Sequence, residues 1–326
     1  MNKMAVAAIA TIAALCVRAS KAADEYPSRA ITLVVPFAAG GPTDVVARIA
    51  AAGLSTRLGQ QVIVENVGGA GGTIGAMRVA RAAPDGYTML LGQTGTHAFA
   101  VSLYSKLPYD PLKDFETIGN VANAPQVILT KKPGPANSLE ELAAFVKAND
   151  SKLNIGHAGV GSTSHVACLL FNLQVGANPN YVPYRGTSPA LNDLIGGQID
   201  YMCDQITNVV GQAKGGTVQV ISIFGPKRSP ALPEIPTAAE AGMPGLDAVI
   251  WNGLFFPKGT PQPIIEKMSE ALAKTLDDPM TQQRLADLGA DAPAPGERGP
   301  IAFRDLVKRE VDRWTPIIKG AGVQVE

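Results

Sequence analysis

From Ile31 onward the chain alternates between short apolar runs of strand length and longer stretches with helical period. No other feature restricts the fold as much, because repeated strand–helix–strand units of this length imply parallel sheets with right-handed crossovers. Ile31–Phe37 reads as a buried strand. Asp44–Leu58 reads as a helix with Val45, Ile49 and Ala52 on one face and Gly59 as its stop. Gln61–Val67 and Tyr87–Gly92 are the next strands, and the helix Thr73–Ala83 between them leaves through Pro84-Asp85-Gly86.

A second series starts near residue 124. Its strands are Gln126–Thr130, Leu153–Gly156, Tyr181–Tyr184, Ile199–Cys203 and Val218–Phe224. Its helices are Leu139–Asn149, opened by the capping box Ser138-x-x-Glu141, then Ser162–Val175, Pro189–Gly196 and Asn208–Lys214. Gly225–Gly245, with five prolines, is a connector. The strand Val249–Pro257 and the helices Pro263–Leu276 and Pro300–Ile318 complete the chain. The pattern predicts two α/β lobes. The first takes residues 26–125 and 225–326, the second residues 126–224. Two crossings make a hinge, and a hinge between open sheets puts a cleft at the carboxyl ends of the strands.

Two turns at such strand ends share a design. Pro36-Phe37-Ala38-Ala39-Gly40-Gly41-Pro42-Thr43-Asp44 and Gly156-His157-Ala158-Gly159-Val160-Gly161-Ser162-Thr163-Ser164-His165 each lead from a strand into a helix. Helix starts leave bare N–H groups and partial positive charge, and glycine lets an anion approach the backbone. Each turn is thus an anion cradle, or else an ordinary turn with Thr43 or Ser162 as a simple N-cap. Neither matches a nucleotide motif. Neither contains Lys or Arg, and Arg48 is spaced to pair with Asp44. Three or four charge-assisted hydrogen bonds, each about 1.5–3 kcal/mol, less the cost of ordering, reach the roughly −8 kcal/mol of a micromolar complex. A third turn adds Gln93, Thr94 and His97. Arg185 lies at the cleft edge or on the surface, and Asp204, after its strand, accepts from a ligand or caps the next turn. Trp251, Phe255 and Phe256 are expected in the core.

Composition narrows the class. Hydrophobic residues are 46% and charged residues 17% of 326, which excludes a disordered chain, a coiled coil and a multi-span membrane protein. Basic and acidic residues number 28 each, so there is no electrostatic footprint for nucleic acid. Residues 1–22 have the layout of a secretory signal, with cleavage after Ala22. Its removal takes Lys3, Arg18 and Lys21 but no acid, leaving a net charge of −3. Cys168 and Cys203 of the exported chain are expected as separate buried thiols, although an exported pair can also be bridged.

These residues resemble the substrate-binding proteins of the tripartite tricarboxylate transporter family, the Bug receptors. The resemblance runs through Tyr26-Pro27 with ITLVVPFAAGGPTDVVAR, then ENVGGAGGTIGA, PDGYTMLLG, GVGSTSH and VPYRGTSPALNDLIGGQID. It implies a periplasmic binding protein-like fold of type II, two α/β lobes closing by a hinge. The implied function is a periplasmic receptor that captures a small organic carboxylate, a di- or tricarboxylate or an aromatic acid. The receptor would act as a monomer and deliver the ligand to the membrane permease subunits of the transporter. The implied contacts are Phe37, Ala39, Gly41 and Thr43 from the first turn and Gly159, Ser162, Thr163 and Ser164 from the second. Gln93, Thr94, His97, Arg185 and Asp204 are further candidates. His157 stands where the family carries smaller or hydroxyl residues, and would narrow the pocket or pair with a carboxylate.

Two other readings stay open. One is an exported serine hydrolase using Ser162 or Ser164. Against it, Ser164 and His165 point about 100° apart on a helix, and no Gly-x-Ser-x-Gly elbow is present. The other is a sensor whose closed form docks on a signalling partner. No cofactor is expected. No metal is expected either, since His97, His157 and His165 are the only histidines and lack ligand spacing.

Overall fold

The computed structural model describes residues 26–322. The expected export signal at residues 1–22 lies outside them. The chain opens with β1 (Ile31–Val35), α1 (Pro42–Leu58), β2 (Val62–Asn66), α2 (Thr73–Ala80) and β3 (Thr88–Gln93). β2 and β3 flank β1 and run parallel to it, as the crossovers require. Helices cover both faces of β1, which is why its run is continuously apolar. Leu33 and Val35 join one core cluster, and Val34 joins another on the opposite face.

After β3 the backbone tightens into a π-turn, Gly95–Phe99, and a short α3 (Ala100–Leu103). The long β4 (Phe115–Lys131) follows. Then come α4 (Leu139–Asn149), β5 (Asn154–His157), α5 (Thr163–Val175), β6 (Asn180–Pro183), α6 (Thr187–Ile195), β7 (Tyr201–Gln205), α7 (Ile206–Lys214) and β8 (Val218–Phe224). After the proline-rich connector come β9 (Val249–Pro257), α8 (Gln262–Leu276), α9 (Pro279–Asp287) and α10 (Pro300–Gly320). The strand order is β2-β1-β3-β9-β4-β7-β5-β6, with β8 also paired to β4.

β4 joins the two lobes. Its first part, Phe115–Pro125, pairs with β9, and its second part, Gln126–Lys131, pairs with β7 and β8. All of these pairings, and β3 with β9, are antiparallel. The expectation of wholly parallel sheets is corrected here. The connector brings the chain back beside the strand it left by, so β9 reverses direction against both of its neighbours.

Three local expectations also change. α1 buries Val46, Ala47, Ala50, Ala51 and Leu54, while Val45 and Ile49 are half-buried and Ala52 is exposed. Small residues face the core because the helix packs closely; a Cβ at Gly53 would overlap Thr275 of α8. α9 was not expected. Its start is fixed by Asp278, whose carboxylate accepts from Thr281 N–H at 2.9 Å. Finally, Cys168 of α5 and Cys203 of β7 are bridged, with Cα atoms 5.5 Å apart, and are not separate thiols. Both are fully buried, and α5 lies across β7, which brings two apolar patterns distant in sequence face to face.

Trp251, Phe255 and Phe256 are buried as expected. The ring of Phe303 on α10 packs over Gly253, 5.2 Å from Trp251 and 4.9 Å from Phe255. Among the described residues no helix is long and apolar enough to cross a membrane, and no cluster of three or more metal-binding side chains occurs.

Candidate functional site

Four helices among the described residues begin at the gap between the lobes: α1, α5, α6 and α7. They frame a narrow cavity of about 10 Å3. Phe37, Gly41, Pro42, Thr43 and Gln93 line it from one side. Ala158, Ser162, Thr163, Ser164, Thr187, Asp204 and Gln205 line it from the other. Each helix start brings N–H groups without intrahelical partners and the positive end of a dipole.

The donors follow from local sequence. α1 begins with Gly41 as an N-cap that offers no side chain and Pro42 that offers no N–H, which leaves Thr43 N–H and Asp44 N–H. Thr43 lies beyond the cap, so the simple N-cap reading of it is corrected. In α5, Ser162 is the cap and takes His165 N–H at 3.3 Å, leaving Thr163 N–H and Ser164 N–H. α6 starts at Gly186, again without a side-chain cap. Thr187 Oγ1 beside it is buried and makes no hydrogen bond of standard geometry. Two carboxamides add to this. Gln93 Oε1 takes Gly95 N–H at 2.8 Å, and Gln205 Oε1 takes Asn252 Nδ2 at 3.1 Å. With their oxygens committed, both residues have their NH2 donors left.

Other amides of the second turn are committed within it. Ala158 N–H donates to Ser164 Oγ at 3.0 Å, Gly161 N–H to His165 Nδ1 at 3.4 Å and Ser162 N–H to Gly159 O at 3.1 Å. Ser162 Oγ and Ser164 Oγ lie 3.1 Å apart. Among the described residues no histidine ring nitrogen is hydrogen-bonded to either serine hydroxyl.

No Lys or Arg among the described residues lines the cavity. Arg48 holds Asp44 through two hydrogen bonds, at 2.9 and 3.0 Å. Burial works to raise the Asp44 carboxyl, but Arg48, Gly40 N–H and Asn66 outweigh it and leave it below its ordinary value. Arg185 has an exposed side chain, and its carbonyl accepts Ala38 N–H at 3.1 Å. Among the described residues the one charged group lining the cavity is Asp204, which lies within β7 and not after it. Its Oδ1 takes Gln205 N–H at 2.8 Å and its Oδ2 takes Asn208 Nδ2 at 2.6 Å. Burial pushes its carboxyl up to about 7, although Asn208, the nearby Thr187 hydroxyl and Gln205 N–H act to lower it.

The lobes meet at glycines. A Cβ at Gly186 would stand 2.9 Å from Ala38 N and from Ala38 Cβ, and one at Gly159 would stand 2.8 Å from Gly71 N. Tyr104 Oη lies 2.9 Å from both Ala70 O and Val160 O and donates to one at a time.

Of the residues expected at the site, Phe37, Gly41, Thr43, Gln93, Ser162, Thr163, Ser164 and Asp204 come together at the cavity. The others do not line it. Ala39 is exposed at the tip of the first turn. Gly159 has φ +97° and shapes the second turn. Thr94 Oγ1 takes Trp251 N–H at 3.1 Å and so belongs to the β3–β9 seam. His97 is buried and stacked on Phe255 with ring centroids 4.0 Å apart, and burial lowers its pKa to about 3. His157 sits behind the second turn, 4.7 Å from the ring of His165, with its pKa lowered by burial to about 4. Thr187 and Gln205 were not anticipated. Gly186-Thr187-Ser188-Pro189 repeats the glycine–hydroxyl–helix pattern of the other turns and was a readable signal. Gln205 carried none, because the strand was expected to end two residues earlier.

The sequence profile of the tripartite tricarboxylate transporter family receptor matches residues 46–323. A UPF0065 protein of Agrobacterium vitis, from the TAR-I ttuE-ttuC' intergenic region, is 42% identical over 99% of this chain and 92% of its own length. The periplasmic binding protein BugD superposes with a TM-score of 0.89 at 44% identity, covering 92% of this chain and all of its own. MatC from Rhodopseudomonas palustris, solved with bound malate, superposes with a TM-score of 0.87 at 46% identity, covering 90% of this chain and all of its own.

Proposed function

The chain belongs to the tripartite tricarboxylate transporter receptor family, and from that premise we propose that it captures a small organic carboxylate between its lobes and hands it to the family's membrane permease. The observation that carries this reading is the cavity itself. Helix starts and two oxygen-tied carboxamides turn donors into it, and no cation competes for the ligand. Neutral donors held by the fold bind a carboxylate without first breaking an internal ion pair. A short metabolite of the kind bound to MatC, malate, is the class of ligand this reading expects. The Ser162 or Ser164 hydrolase reading has no base to support it.

The lobe division at residues 26–125 with 225–326, and 126–224, is part of the same proposal. It is supported by the change of partners along β4 after Pro125. The receptor works in the periplasm as a monomer, with residues 1–22 as its export signal.

Calorimetry tests the reading. At least one small di- or tricarboxylate or aromatic acid is expected to bind with a dissociation constant near the micromolar range. Gly186→Ala is expected to weaken that binding by about 5–150-fold, the effect of roughly 1–3 kcal/mol of overpacking. Gly186 has φ 173°, which alanine adopts freely, so the added methyl acts only where the lobes meet and the melting curve of the free protein stays in place. If every acid is inert, or if the variant binds as tightly as the parent, capture by closure is wrong.

A further inference from the structure

Resting on the receptor reading and its lobe division, we propose that the Tyr104 hydroxyl is a latch: it bonds the closed lobes to each other across the rim and so sets how slowly a captured acid leaves. Tyr104 belongs to the first lobe and Val160 to the second, and Tyr104 Oη lies 2.9 Å from Val160 O. Tyr104 does not line the cavity, so its effect on the ligand passes through the lobes.

The phenol has one proton and a second carbonyl in reach, Ala70 O of its own lobe, also at 2.9 Å. That carbonyl is already supplied. Thr73 N–H donates to it, and Thr73 Oγ1 donates to it at 2.9 Å. These two bonds account for both lone pairs of a carbonyl oxygen. Val160 O, among the described residues, has no donor besides Tyr104. The proton therefore goes across the gap. Burial raises the Tyr104 phenol above its ordinary value, with the Thr73 hydroxyl acting against the rise, so the proton stays in place at neutral pH.

Glycines on both sides make room for the latch. A Cβ at Gly71 would overlap Val160 O, and one at Gly161 would stand 3.1 Å from the Tyr104 ring. Their φ angles are +61° and +85°, in the region that favours glycine. Val160 lies in the turn that leads into α5, so the latch also steadies the turn that delivers Thr163 N–H and Ser164 N–H. Val160 is 36% exposed at the rim, and opening returns its carbonyl to water. The bond exists only after closure. It slows departure and leaves arrival alone. Ala38 N–H to Arg185 O spans the same gap from main chain to main chain, whereas the Tyr104 bond is removed by deleting one side-chain oxygen.

Calorimetry with succinate, L-malate, citrate, adipate and benzoate finds the tightest acid, and surface plasmon resonance on the immobilised protein gives its rates. Tyr104→Phe keeps the ring and removes the hydroxyl. It is expected to speed dissociation about threefold to tenfold, the loss of one neutral hydrogen bond, and to leave association within about twofold. The melting curve of the ligand-free variant is expected to stay in place. Installing 4-aminophenylalanine at position 104 returns a donor to the same place, and dissociation is expected to slow to within about twofold of the parent. A ring that served only to pack would not respond to the returned donor.

Dissociation of the phenylalanine variant at the parent's rate overturns the latch and leaves the receptor reading standing. So does a loss that falls on association or on the melting temperature, or one that the amino group does not reverse. Inertness of all five acids removes both readings.

Discussion

Replacing Asp204 by asparagine is expected to make the ligand-free protein more stable, and increasingly so as the pH rises from 4 to 8. The carboxyl is moved from an ordinary value of 3.8 to about 7, chiefly by burial. A carboxyl raised in the folded state stabilises that state most below about pH 4, where both states hold the proton. As pH rises, the unfolded chain releases its proton first, and the folded chain loses stability until Asp204 ionises near pH 7. A shift of this size corresponds to on the order of 4 kcal/mol across that window. Asparagine does not titrate, so the difference between variant and parent should grow by about that amount between pH 4 and pH 8. Denaturant midpoints at several pH values read it directly. Parallel stability curves would mean that Asp204 is not held in an unfavourable place.

Reducing the Cys168–Cys203 bridge is expected to lower stability by about 3–4 kcal/mol. The bridge closes a loop with a sequence separation of 35, and loop closure of that length removes about this much entropy from the unfolded chain. It also ties α5, whose start supplies Thr163 and Ser164, to β7, which supplies Asp204 and Gln205. Unfolding with and without reductant measures the effect, and a Cys168→Ala, Cys203→Ala double variant should unfold at the reduced protein's midpoint and ignore the reductant. An unchanged midpoint on reduction would contradict the bridge.

Much of this was legible in the sequence. Ile31–Phe37, Leu139–Asn149, Val218–Phe224 and Val249–Pro257 carried their secondary structure in apolar period and caps, and the glycine turns announced where helices begin. The first half of β4 was not legible. Phe115–Pro125 is rich in Gly, Asn and Ala, poor strand formers alone, and is held extended by pairing with β9. The inward face of α1 was misplaced by one position because close packing favoured alanine over the branched residues that period counting selects. At the site, residues whose role comes from their own turn, such as Thr43 and Ser162 to Ser164, were found. Those whose role depends on a distant partner were not. Gln205 becomes a donor only because Asn252 holds its oxygen, and His97 leaves the site because Phe255 stacks on it. Pairing of two cysteines in different elements is likewise a property of packing, not of local pattern.

A crystal structure of the protein with its tightest-binding acid tests the central claim most directly. One ligand carboxylate should lie between the lobes with its oxygens about 2.7–3.1 Å from Thr43 N and from Thr163 N or Ser164 N. An acid held instead by the Arg185 guanidinium, or seated outside the cleft while those amides face solvent, would contradict it.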